Sequence, residues 1–251
     1  MNAYGLIFGA GLCAGTMNAL AGGGTFVTLP ALIAAGIPSV QANASSTLGL
    51  IPGSLASSWA YRDGMGPVGA VAIRPLLWVT VVGGIIGALL LMSTPSTMFD
   101  RLLPWLLLVA TLALGFGRQL GERLRRRVQV TPAAVLSMQF VLGIYSGYFG
   151  GGVGIMMLAV WGLVEARDIK SLNPPRTLLT AASNVMAVVI FIVARAIRWP
   201  ETVVLMVAAT CGGYFGAHLG RRAPEKVIRV GTLVLACAIT GMFFVRAYCR
   251  R

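Results

Sequence analysis

From Met1 to Tyr61 the chain has no Asp, Glu, Lys, Arg or His. A soluble domain carries about 25% charged residues, so a run of this length without charge excludes a water-exposed domain there and calls for lipid as solvent. Acids are scarce throughout, seven against 20 Lys and Arg. All seven (Asp63, Asp100, Glu122, Glu165, Asp168, Glu201 and Glu225) fall near the ends of apolar segments or between them. No span therefore offers the mid-membrane carboxylate on which proton and sodium pathways usually rest. The single histidine, His218, stands near a segment end close to Arg221 and reads as structural or interfacial. Cys13, Cys211, Cys237 and Cys249 lack CxxC spacing, and the first three read as small buried hydrophobes. There is no HExxH and no GxSxG; Gly143, Ser146 and Gly147 come near the serine motif with the wrong spacing. An intramembrane enzyme thus has no motif behind it, and no cofactor or metal is expected.

Apolar residues are abundant, 57% of the 251, together with 32 glycines. The net charge of +13 comes in short clusters between apolar segments, at Arg123–Arg127, Arg221–Arg222 and Arg250–Arg251. That is the pattern of loops at a lipid surface rather than of a nucleic-acid grip. The N-terminus lacks the basic start of a cleaved signal, so the first membrane segment is expected to begin at Met1. Trp59, Trp78, Trp105, Trp161 and Trp199 fit aromatic belts at the two interfaces.

The first apolar block, Ala3–Ile37, would be about 52 Å long as one helix, against a hydrocarbon core of about 30 Å. Gly22, Gly23 and Gly24 break it into a helix ending at Ala21 and a short one over Thr25–Ala35. Ser39–Tyr61 follows, polar in its first half through Gln41, Asn43, Ser45, Ser46 and Thr47 and kinked at Pro52. Pro75–Phe99 and Leu102–Gly117 complete five segments. Arg118–Arg127 then sets five arginines against Glu122, the strongest positive-inside signal, and is placed in the cytoplasm. After it the plan returns. Val128–Val164 is again uncharged and broken by glycines at Gly150–Gly154, and Leu172–Ala194, Thr202–Leu219 and Val230–Val245 match the later segments. Gly83, Gly84 and Gly87 read against Gly212, Gly213 and Gly216 at an offset of 129, and Asn43 and Thr47 against Asn173 and Thr177 at 130. The expected fold is an all-α polytopic membrane bundle of two homologous repeats with glycine-broken helices: residues 1–117, a basic linker 118–130, and 131–251. Five crossings per half would invert the repeats, and broken helices go with inversion; a glycine-broken pair that only dips into the membrane leaves a parallel arrangement open.

Two glycine-rich blocks, each followed by a polar-headed helix, resemble the TauE/SafE family of sulfite and sulfonate exporters. The residues that carry the likeness are Gly15, Asn18, Gly22–Gly24, Thr25 and Pro30, then Gly36, Pro38, Asn43, Ser46 and Thr47. In the second half they are Gly147, Gly150–Gly152, Gly154, Asn173, Arg176, Thr177 and Asn184. The likeness covers essentially the whole chain. It departs at Leu158–Val160, where no proline matches Pro30. It implies export of small organosulfur anions across a bacterial cytoplasmic membrane.

The residues support an anion independently. A helix restarting after glycine presents unpaired N–H groups and about half a positive charge, at Thr25 and at Ile155. Asn18, Thr25, Asn43, Ser46, Thr47, Asn173 and Asn184 can add neutral donors around Gly22, Gly23, Gly24, Gly150, Gly151 and Gly152, or serve as glue between helices. Arg176 stands out: Asn173 can cap a helix, Pro174 and Pro175 suit its first turn, and a guanidinium there can grip a sulfonate with two bonds. The same arginine can instead snorkel to headgroups. The function expected is a secondary transporter for a small anion working by alternating access, with an anion channel as the alternative. The partners are the substrate and the bilayer; a homo-oligomer stays open.

Overall fold

The computed structural model describes residues 3–20, 23–60, 62, 65–125, 130–164, 169–220 and 225–249. They form ten α-helices and a closing π turn: α1 (Ala3–Leu20), α2 (Thr25–Ala34), α3 (Ser39–Ala60), α4 (Ile73–Ser93), α5 (Ser96–Arg125), α6 (Pro132–Tyr148), α7 (Val153–Trp161), α8 (Ile169–Val193), α9 (Trp199–Gly220), α10 (Glu225–Phe244) and the turn Val245–Cys249. Among the described residues there is no β-strand, only one isolated bridge between Val68 and Val71. The all-helical expectation holds. Lipid offers no water to backbone N–H and C=O groups, and a helix satisfies them within one segment.

Four described stretches are long and apolar enough to cross a bilayer: Ile73–Ser93, Ser96–Gly117, Ser171–Val193 and Val230–Cys249. The outward surface of the bundle is apolar as well. Trp59 and Trp78 are each 70% exposed, and Val193, Tyr214, Phe215 and Phe116 stand out similarly. A patch of that kind would drive aggregation in water; against acyl chains it is the matching surface. The first half of α3 is too polar to face lipid, and it does not: residues 42–50 are all buried, enclosed chiefly by α2, α8 and α9.

Several boundaries move. The α5 helix runs on to Arg125, so the division drawn after Gly117 falls inside a helix. The α8 helix begins at Ile169, which sets Asn173 in its second turn rather than at its cap and leaves Pro174 and Pro175 inside the helix. So close to the helix start, the prolines forfeit only bonds to the carbonyls of residues 170 and 171. Trp161 is no belt residue: it is fully buried, with its indole N–H on the Gln139 side-chain oxygen at 3.1 Å. The cysteines are exposed on the outside of the bundle rather than buried in it.

Two short helices fold back on the helices before them. Trp161, at the end of α7, reaches Gln139 in the middle of α6, and Val153, Met157 and Trp161 share a buried cluster with Val135 and Leu142. In the first half, a Cβ placed on Gly24 would lie 2.9 Å from the Ala14 carbonyl oxygen and 3.3 Å from Asn18 Cβ, and Val27 packs against the small cluster of Ala14, Leu50 and Ala209.

The tightest helix pairs are α1 with α9 and α4 with α6. Both are close because the facing residues are glycine and alanine. A Cβ on Gly15 would stand 1.9 Å from the Ala209 carbonyl oxygen, and one on Gly147 at 1.9 Å from that of Gly84. Two larger buried clusters lie along the bundle. One joins Ile7, Ile37, Phe99, Phe191, Ile197 and Phe243 and runs inward to Phe26, Ala110 and Phe149. The other joins Val68, Leu76, Val135, Trp161 and Leu172.

Candidate functional site

The unwound stretch between α6 and α7 is the centre around which the polar residues collect. The helix α6 closes at Tyr148, Gly150 and Gly152 both have φ +74°, and α7 starts at Val153. Only glycine takes such a backbone without strain. Side chains meet its carbonyls: the Tyr145 hydroxyl lies 3.0 Å from both the Leu106 and the Gly151 oxygens, with one proton to share between them.

From the first half, α3 brings Asn43 and Thr47 to this stretch. The Asn43 side-chain N–H donates to the Tyr148 carbonyl at 3.1 Å, and the Thr47 hydroxyl donates to the Asn43 carbonyl at 2.9 Å. From the second half, α8 brings Asn184, whose Oδ1 accepts from the Ser146 hydroxyl at 3.4 Å. A Cβ built on Gly150 would have three oxygens as its nearest atoms: the Ser146 carbonyl at 3.3 Å, and Asn184 Oδ1 and Thr47 Oγ1 each at 3.8 Å. Asn43, Thr47, Ser146 and Asn184 are all buried. Asn43 Oδ1 is buried with no hydrogen-bond partner. Thr47, Ser146 and Asn184, up to 137 positions apart in the chain, thus converge on one glycine, and Asn43 holds the Tyr148 carbonyl beside it.

Phe26 of α2 reaches the α6–α7 stretch: its ring lies 3.6 Å from the Cβ position of Gly152, beside Ala110. Thr25 is buried at the start of α2, and Ser46 is hydrogen-bonded to Thr28, so Ser46 ties α3 to α2 rather than lining the α6–α7 stretch. Gly23 and Gly24 are buried; Gly22 lies outside the described residues. Asn18 packs beside Gly24 and Gly53, apart from the Gly150 cluster. Asn173 is half-buried on α8. Gly151 packs on the Phe149 ring.

Arg176 lies at the other end of the stretch. From the Cβ position of Gly154, in the first turn of α7, its Cδ is 3.5 Å away and its Nη1 3.6 Å. The guanidinium therefore stands beside a helix N-terminus, where two sources of positive potential add. Arg176 sits seven residues into α8, about 10 Å along its axis, and is half-buried.

Sequence reasoning missed Ser146, Tyr148 and the chain of bonds from Trp161 through Gln139 to Thr80, the last at 2.8 Å. For Ser146 a signal existed. At the offset of 128 that pairs Gly24 with Gly152, it falls opposite Asn18. Among the described residues no three His, Cys, Asp or Glu side chains gather as a metal site.

Comparison with known proteins agrees with this architecture. The family model "Sulfite exporter TauE/SafE" matches residues 7–243. A "Probable membrane transporter protein" of Haemophilus influenzae is 27% identical over 241 residues, covering 94% of this chain and 92% of that one. "Probable membrane transporter protein ORF9" of a Sinorhizobium species is 27% identical over 234 residues, 93% of this chain and 89% of its own. "Probable membrane transporter protein YfcA" of Escherichia coli K12 is 27% identical over 238 residues, 94% and 88%. No solved structure matches. A multi-pass helical membrane protein, matched from end to end by a transporter family, is what the apolar helices require, and the chain belongs to the sulfite exporter TauE/SafE family.

Proposed function

We propose that this membrane transporter exports a small anion, sulfite or a short sulfonate, from a bacterial cytoplasm by alternating access around the glycine stretches. The observation that carries the reading is Arg176 against Gly154. A guanidinium and the N-terminus of α7 converge on one place in spans whose described acids all stand within five residues of a helix end. A tetrahedral or pyramidal oxyanion matches that pair, because the guanidinium fork offers two parallel N–H donors and the helix end adds more. A snorkelling role suits it less, since Arg176 is about 10 Å into its helix and leans on α7.

Alternating access is supported by the way the halves interlock. The two tightest pairs, α1 with α9 and α4 with α6, exchange under the repeat: α1 corresponds to α6 and α9 to α4. Their registers correspond too. Gly15 faces the Ala209 carbonyl and Gly143 the Thr80 carbonyl; Gly212 faces Leu12 and Gly83 faces Phe140. Thr111 and Thr240, 129 apart, bond to each other at 3.0 Å, as equivalent residues on a pseudo-two-fold axis would. In each half the first two helices make a hairpin, leaving three crossings. Three is odd, so a dipping pair favours inverted halves too, against the parallel arrangement that the sequence had left open for it. The start of α3 meets the start of α5, where the Ser39 hydroxyl donates to the Ser96 carbonyl, and Ile7, Phe191 and Phe243 collect at that end. The starts of α4, α6 and α8 collect at the other. Among the described residues, the helix ends and connections on this second face hold eight Lys and Arg (Arg62, Arg74, Arg118, Arg123, Arg125, Lys170, Lys226 and Arg229), and the first face holds four (Arg101, Arg195, Arg198 and Arg246). The positive-inside rule then puts the second face in the cytoplasm and both termini outside.

The test is efflux of labelled sulfite and of a short alkyl sulfonate from proteoliposomes, with a neutral sulfone of equal size as control. Saturable efflux of the anions with exclusion of the sulfone is expected. Equal passage of the sulfone would overturn the anion reading, and a large unitary current in planar bilayers would replace the carrier by a channel.

A further inference from the structure

The unwound stretch has two ends of opposite polarity, and the anion uses only one of them. The α7 end is positive. The α6 end is negative, because the last carbonyls of a helix have no N–H within it to meet. At that end lies Gly150. The point its missing Cβ would fill is surrounded by oxygen: the Ser146 carbonyl, Thr47 Oγ1 and Asn184 Oδ1. Thr47 spends its proton on the Asn43 carbonyl, so it turns lone pairs toward the space. Asn184 Oδ1 accepts one bond from Ser146 and keeps a second lone pair. Asn43, only 1% exposed, grips Tyr148 with its N–H and leaves Oδ1 buried and unpartnered.

Such a set selects its ligand. It is lined by lone pairs, so an oxyanion is repelled. It has no carboxylate, so a divalent cation, which draws on Asp and Glu for its affinity, is poorly compensated. A buried acceptor without a partner asks for a donor or a positive charge. Transporter sites of broken helices use carbonyls at half-helix C-termini for alkali cations. We propose that Ser146 O, Thr47 Oγ1, Asn184 Oδ1 and Asn43 Oδ1 bind a monovalent alkali cation, sodium in the first instance, at Gly150. The absence of a side chain at 150 is then part of the site, since a methyl group there would stand among these oxygens and crowd the space the ion needs. The ligands come from α3, α6 and α8, so an ion there clamps one half of the molecule to the other. Cation at Gly150 and anion at Gly154 would sit at the two ends of one stretch, and each would lower the electrostatic cost of the other. This site does not depend on what the anion is.

The experiment is thermal melting of the purified protein in detergent with no anionic substrate, titrating NaCl against choline chloride at constant chloride and ionic strength, with LiCl and KCl in parallel. A saturable rise of the melting temperature with sodium is expected. Thr47→Val and Asn184→Ala should each raise the half-saturating sodium concentration tenfold or more, read against each variant's own choline baseline. Identical melting of the wild type in sodium and choline would overturn the proposal and point to a trapped water; half-saturation unchanged in both variants would overturn the location. Because no sulfite or sulfonate is present and chloride is held constant, either failure leaves the anion reading intact, and loss of anion binding in Arg176→Gln leaves this one intact.

Discussion

Replacing Arg176 by glutamine removes a charge and keeps most of the packing. An anion seated on the first turn of α7 would lie about as far from the guanidinium as Gly154 does, whose Cβ position is 3.6 Å from Nη1. At about 4 Å and an effective dielectric of about 20, the gross attraction is about 4 kcal/mol. Desolvation takes back part of it, and a charge-assisted bond contributes about 1.5–3 kcal/mol net. The dissociation constant for sulfite or a short sulfonate should therefore rise about ten- to a hundredfold in Arg176→Gln. Arg176→Lys should recover only part, since an ammonium lacks the planar fork. Gly154 gives a second handle on the same contact. An added methyl group would meet Arg176 at 3.5 Å, ordinary contact distance, so Gly154→Ala should bind nearly as wild type, whereas Gly154→Leu should push the guanidinium aside and resemble Arg176→Gln. The assay is calorimetric titration of purified protein, with melting temperature as the check on folding. Unchanged affinity in a folded Arg176→Gln would assign the arginine to the lipid surface and refute the reasoning.

Other outcomes follow from the packing. Gly147→Ala would drive a methyl group to 1.9 Å from a backbone oxygen of α4, and overpacking of this kind costs about 1–3 kcal/mol; its melting temperature should fall clearly, while Gly9→Ala, with nothing within 4 Å, should match or exceed wild type. Trp161→Phe should cost about 1–3 kcal/mol by stripping the donor from the buried Gln139 oxygen, seen as a lower denaturant midpoint that Trp161→Phe with Gln139→Leu partly restores. A C-terminal alkaline phosphatase fusion should be active and a C-terminal fluorescent protein dark if both termini lie outside; the reverse pattern would flip the orientation.

The chain's own composition settled what depends on local chemistry. An uncharged run of 61 residues has no stable home in water, and a helix is the only spanning form for such segments, so a polytopic helical protein follows without any tertiary information. The doubled glycine blocks could be read for the same reason: glycine disfavours helix wherever it stands, and its recurrence is a property of the sequence alone. What the sequence left open were matters of which face and which neighbour. Trp161 looked like an interfacial tryptophan because nothing local says that α7 turns back onto Gln139. Asn173 looked like a cap because Asn-Pro-Pro is a start signal, yet the flanking residues extend α8 by a turn, and packing of Leu172 into the core outweighs the prolines. Ser46 and Thr47 are neighbours in sequence, but successive residues on a helix point about 100° apart, so one reaches Thr28 and the other Gly150. The gathering of Thr47, Ser146 and Asn184 around one glycine, with Asn43 on the neighbouring Tyr148 carbonyl, joins three helices and both halves of the chain. Only the tertiary structure could decide it, because it depends on how α3 and α8 pass beside the end of α6, which no local pattern in any of the three segments specifies.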